Sequence, residues 1–176
     1  MIAPMRSALP PDMMQQTPRV RFVLFTLALA FCLNVLPWSG ILLRLRPDFL
    51  LLALLYWCMR EPRMVGQLLG FMSGLVMDVA DSAILGQHAF VYALAIYAAF
   101  SLRLRILRFP LPEQALHILV ILLTGAGITV VLNLIVDATF PGYTYFISAV
   151  IGALLWPSMV WLIELPEAIA AKSEVP

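Results

Sequence analysis

Residues 46–87 read RPDFLLLALLYWCMREPRMVGQLLGFMSGLVMDVADSAILGQ, and this stretch decides the fold class. Two short apolar runs, about 48–60 and 64–80, are joined by a turn that carries Arg60 and Arg63. In the second run Gly66, Gly70, Gly74 and Asp78 recur at intervals of four, so on a helix they fall near one face and drift slowly around it. A glycine stripe in apolar sequence lets another membrane helix approach to backbone contact. An aspartate continuing that stripe must be paired or reach water, because lipid offers it no partner. The stretch therefore predicts helices in contact within a membrane.

Composition agrees. Of 176 residues 62% are hydrophobic and 12% charged, about half the charge of a soluble domain, which points to an all-α polytopic membrane protein. A formal net charge of +1 gives no electrostatic reason to expect nucleic acid. Six apolar runs can be counted, near 20–38, 48–60, 64–80, 84–101, 114–136 and 143–163. They divide the chain into a polar N-terminal tail (1–18), a six-helix transmembrane domain (19–164) and a C-terminal tail (165–176). The second run supplies about 18 Å of helix against a hydrocarbon core of about 30 Å. It is either partly buried at its entrance, inserted where the membrane is thin, or re-entrant in a five-helix arrangement.

With the N-terminus inside, cytoplasmic segments hold Arg6, Arg19, Arg21, Arg60, Arg63, Arg103, Arg105, Arg108 and Lys172, and outer segments hold only Arg44 and Arg46. That asymmetry predicts both termini in the cytoplasm. The first apolar run ends in Leu36-Pro37-Trp38, which is no small-residue cleavage site, so it reads as a retained anchor. Cys32 and Cys58 then lie at different depths and are not expected to pair.

On this topology Arg44, Arg46, Asp48, Asp78, Asp81, Gln87, His88, Asn133 and Asp137 collect at the outer helix ends. One reading is that Arg46 or Arg44 neutralises Asp78. The simpler one is that all are interfacial residues in headgroup water. Helix five repeats the small-residue pattern with Gly125, Thr129 and Asn133, and helix six places Ser148 and Gly152 on one face. Such stripes, Gly66, Gly70 and Gly74 included, serve internal packing or a partner helix. Arg103, Arg105 and Arg108 form an inner basic loop suited to lipid headgroups or an acidic partner. His88 and His117 sit at opposite ends, no HExxH, GxGD or phosphate-cradling motif is present, and Phe71 stands where an intramembrane serine protease has glycine before its Ser73 equivalent. No metal or cofactor is expected, and the chain is not expected to be an enzyme.

Arg46-Pro47-Asp48, Tyr56-Trp57, Val65-Gly66, Gly74-Leu75 with Asp78, Leu85-Gly86-Gln87 and Leu155-Trp156-Pro157, in that order and spacing, resemble the rod shape-determining protein MreD family. Phe49 stands where members often carry Trp. The resemblance implies a non-enzymatic subunit of the bacterial inner membrane that binds the transmembrane segment of MreC. Indirect partners would be MreB, a RodA-type glycosyltransferase and a penicillin-binding transpeptidase. It also implies a fold similar to the six-helix S-components of energy-coupling-factor transporters. That likeness motivates an alternative, a small-molecule-binding transporter subunit with an outward-facing pocket. The Ala-x-x-x-Ala docking motif of such subunits is absent from helix one, which offers Ala28 and then Cys32.

Overall fold

A computed structural model describes residues 20–40, 42, 45–136 and 142–173, with side chains described as far as Pro166. Among the described residues six long helices follow one another: α1 (Val20–Val35), α2 (Phe49–Arg60), α3 (Gln67–Ala80), α4 (Gln87–Ile106), α5 (Leu111–Val136) and α6 (Thr144–Ser173). Every regular element among the described residues is helical. Among the described residues three segments are long and apolar enough to cross a membrane: α4, α5 and Thr144–Pro166 of α6, with mean hydropathies of 1.5, 2.5 and 2.0. Helices α1, α2 and α3 are apolar but shorter.

The centre of the fold is α2. Every residue from Leu50 to Met59 is buried, as expected of a helix that is apolar on all sides. It packs against α1, α4 and α6, so its neighbours are protein side chains and its twelve residues need not match the bilayer. This is the physical resolution of its shortness. Trp57 ties it to α1: the indole stands edge-on to Phe22 at 5.9 Å, and its Nε1 donates to Thr26 Oγ1 at 2.8 Å. Arg60 lies 5.7 Å from the centre of the Tyr56 ring and pairs with Glu164, joining α2 to α6.

Around α2, α3 and α4 form one close antiparallel pair and α5 and α6 another, with α5 also lying along α4. The α3–α4 pair is so close because its interface is made of small residues. A Cβ at Gly74 would stand 2.5 Å from Ala89 N and 2.7 Å from the His88 carbonyl carbon, and nearer still to Ala89 Cα. At Gly70 it would run into Ile96 Cδ1. The stripe is therefore filled by the chain's own α4. The opposite side of α3, with Leu68, Val76 and Val79, is exposed, as a lipid-facing surface would be.

Two sequence expectations need adjustment. Gly66 is not on the packed stripe: it precedes α3 as its N-cap, in extended backbone, and a Cβ there meets nothing within 4 Å. Helix α6 runs through Pro157 and Pro166 to Ser173, so much of the segment read as a tail from 165 is helical. Proline inside a helix removes one hydrogen bond per site, a loss that packing of Trp156 and Val160 in the core helps to offset.

Candidate functional site

Helices α1 and α3 end, and α2 and α4 begin, at the same pole of the bundle, and Asn34, Arg46, Asp48, Asp78, Asp81, Gln87 and His88 gather there. Two carboxylates organise that pole by holding helix N-termini, whose first N–H groups have no partner within their own helix.

Asp48 caps its own helix. Its Oδ1 accepts from Leu51 N at 3.0 Å and from Asn34 Nδ2 at 2.8 Å, and its Oδ2 from Tyr92 Oη at 2.5 Å. Asn34 Oδ1 in turn accepts from Phe49 N at 3.0 Å, so α1 lends a side chain to the start of α2 in a reciprocal arrangement resembling a capping box. Asp78 caps a different helix. Gly86, the N-cap of α4, has no side chain to offer and lies in the left-handed region at φ 95°. The Asp78 carboxylate supplies the cap from α3, accepting from Gly86 N at 2.8 Å, His88 N at 2.7 Å and, more weakly, Ala89 N at 3.4 Å. Its Oδ1 also lies 2.9 Å from His88 Nδ1. A carboxylate at a helix N-terminus meets both the unpaired N–H groups and the positive end of the helix dipole. The run Gly70, Gly74, Asp78 is thus one device: two glycines let α4 approach, and the aspartate receives its end.

Arg46 does not neutralise Asp78, which was one of the two readings of the sequence. Its Nη2 reaches Asp81 Oδ2 at 3.0 Å and Oδ1 at 3.1 Å, and its Nη1 donates to the Asn34 carbonyl. The reason is helical phase. Asp78 continues the stripe that faces α4, whereas Asp81, three residues on, is turned towards the segment before α2. Asp81 keeps 29% of its side chain exposed. Asp81→Asn should therefore lower stability by no more than about 1 kcal/mol, read as a small shift in thermal unfolding.

An open cavity of about 870 Å³ lies beside this network, between it and the α5–α6 pair. Its wall includes Arg46, Asp48, Asp81, Gln87 and His88 from one side and Thr129, Asn133, Tyr145 and Ser148 from the other. Asn133 Nδ2 is committed to Thr129 O of its own helix at 2.9 Å. Gly125 sits where a Cβ would approach Val91 Cγ1 to 3.0 Å, and Gly152 where it would approach Leu122 Cδ1 to 3.2 Å, so both set the spacing of α5 and α6 against their neighbours. The structure brings together Arg46, Asp48, Asp78, Gln87, His88 and Asn133 of the predicted polar group; Arg44 and Asp137 lie outside the described residues. Asn34 and Tyr92 belong to the same network and were not anticipated. Asn34 had a signal: it is the one amide in an apolar run, in register with Val23, Leu27 and Ala30 on the buried face of α1.

The chain matches the family model for rod shape-determining protein MreD over residues 16–165. It belongs to the MreD family. A curated rod shape-determining protein MreD from Haemophilus influenzae is 28% identical over 160 residues, covering 88% of this chain and 97% of that one. No solved structure matches. Membership in the MreD family gives the chain a role in rod shape determination, and the three helices of spanning length agree with an inner-membrane location. The segments carrying the resemblance include both capping devices, Arg46-Pro47-Asp48 and Gly74 to Gln87.

Proposed function

We propose that this chain is a non-enzymatic multi-pass subunit of the inner membrane that binds MreC and, through it, regulates peptidoglycan synthesis by the elongation machinery. The observation that carries the reading is how its buried carboxylates are used. Asp48 and Asp78 are each held by three or more donors that also fix helix ends, a construction suited to a rigid docking body. The polar pole is periplasmic and both termini are cytoplasmic. Support for this orientation is that Arg21, Arg60, Arg63, Arg103, Arg105 and Arg108 all belong to the opposite pole, with Arg46 at the cavity.

Since α4 covers Gly70 and Gly74, the transmembrane segment of MreC must pack elsewhere than on that stripe. Helix α5 offers a face where a helix could approach closely: a Cβ at Gly127 meets nothing within 4 Å, and Thr124 beside it is exposed. Gly127→Leu is expected to leave insertion and thermal stability unchanged while cutting co-purification of MreC at least severalfold. Full retention of MreC would remove α5 from the interface, and cells that stay rod-shaped after depletion of this chain would overturn the whole reading.

The second reading, a small-molecule-binding transporter subunit of S-component-like fold, is favoured by the open polar cavity. A small molecule that stays with the protein through detergent extraction and is lost on filling the cavity would decide for it.

A further inference from the structure

One group at the polar pole has no use within the fold. Gln87, the first residue of α4, is 5% exposed and lines the cavity, and its Oε1 has no hydrogen-bond partner among the described residues. Folded proteins keep few buried acceptors in that state, and each calls for an explanation.

The charges around the same cavity say which donor would answer it. Besides the phenols of Tyr92 and Tyr145, the ionisable side chains described in its wall are Arg46, Asp48, Asp81 and His88. Arg46 and Asp81 cancel, being joined by two contacts at 3.0 and 3.1 Å. Asp48 has only neutral donors, namely Leu51 N, Asn34 Nδ2 and Tyr92 Oη. Its Oδ2 receives one of them, and a carboxylate oxygen has two lone pairs. His88 has its Nδ1 engaged by Asp78. Among the described residues the cavity thus offers one carboxylate bonded to no cation and one orphan amide oxygen, while Arg46 is already taken. An anion would find no free arginine or lysine among the described residues of the wall, and a neutral apolar molecule would leave both acceptors unanswered.

We propose that this cavity binds an organic cation, a guanidinium or ammonium group, held by the Asp48 carboxylate and Gln87 Oε1. Such a group matches the site because it carries several N–H donors with its positive charge, and charge-assisted bonds to carboxylate are the stronger kind. The same chemistry could arrive as a free amine or guanidine, or as a lysine or arginine side chain of a neighbouring protein.

The test uses the whole chain in lipid nanodiscs, with butylguanidinium as probe and its neutral isostere butylurea as control. Butylguanidinium should raise the thermal unfolding midpoint in a saturable way, and butylurea should not. Gln87→Met should leave the ligand-free midpoint unchanged or higher, because it removes an unsatisfied acceptor, yet weaken butylguanidinium binding on the order of tenfold. A residue serving only the fold would show the opposite pattern. Asp48→Asn should abolish the shift; where loss of the α2 cap prevents folding, Gln87→Met decides. Equal binding of butylurea, or unchanged affinity in Gln87→Met, overturns the proposal. In the complex with MreC, displacement of MreC by the probe assigns the cation to a side chain of that partner. Binding without displacement assigns it to a free amine or guanidine. The midpoint shift is measured on this chain alone and so stands or falls independently of the MreC reading, on which only this assignment of the source rests.

Discussion

Gly74→Ala is expected to abolish correct folding or to lower stability by upwards of about 3 kcal/mol, whereas Gly70→Ala, one turn away, is expected to be mild. A new Cβ at Gly74 would meet backbone: Ala89 N at 2.5 Å, the His88 carbonyl carbon at 2.7 Å, and Ala89 Cα closer than either. Backbone cannot rotate aside, so α3 and α4 would have to separate along their length. At Gly70 the obstacle is Ile96 Cδ1, the far end of a flexible side chain. There the clash is partly offset by the gain of about 1 kcal/mol that alanine brings over glycine in a helix. The rescue pattern separates the two cases. Ile96→Val removes the offending methyl and should restore Gly70→Ala to the parent midpoint. Ala89→Gly leaves the same backbone atoms in place and should not restore Gly74→Ala. Thermal unfolding of the detergent-solubilised proteins, read by size exclusion, reports all four. Equal midpoints for the two alanine variants would mean that α3 and α4 are not held at the separation described.

Much of this arrangement was legible in the residues. The four-residue spacing of Gly70, Gly74 and Asp78 identified a close helix contact and put an acidic group at its end. The shortness of the α2 run was legible too, but its full burial was not among the readings that length alone offered. What periodicity could not supply was the identity of the neighbour. A stripe of small residues looks the same whether its occupant is the next helix in the chain or another protein, and the short α3–α4 connection supplied the occupant from within. The assignment of Arg46 failed for a related reason. Charge counting places Asp78 and Asp81 at one depth, but three residues of helix turn them towards different neighbours, and a backbone terminus outcompeted the nearest cation. Tyr92 was hidden because a lone phenol in an apolar run carries no motif, and Asn34, though marked by its register on the buried face of α1, named no partner. Their role depends on Asp48 arriving from another segment.

The same logic makes Asp78 the most sensitive polar position in the chain. Its carboxylate is 1% exposed and faces three backbone N–H groups and the His88 ring. Asp78→Ala would strip the start of α4 of its acceptors and leave those N–H groups buried, at a cost of about 3–5 kcal/mol. Asp78→Asn should cost less, about 2–3 kcal/mol: it preserves the shape and one acceptor but aims an NH₂ at a cluster of donors and removes the charge that the helix terminus favours. The pairing with Arg46, one of the two readings of the sequence, makes a different forecast, in which charge exchange between positions 46 and 78 restores the protein. Here that exchange would place a guanidinium against backbone N–H groups, so the double variant should be at least as unstable as Asp78→Ala. Exchange between Arg46 and Asp81, whose side chains face each other directly, should be tolerated far better. Unfolding midpoints for the two exchange variants decide the matter, since recovery at 46/78 with collapse at 46/81 would reverse the assignment of both aspartates.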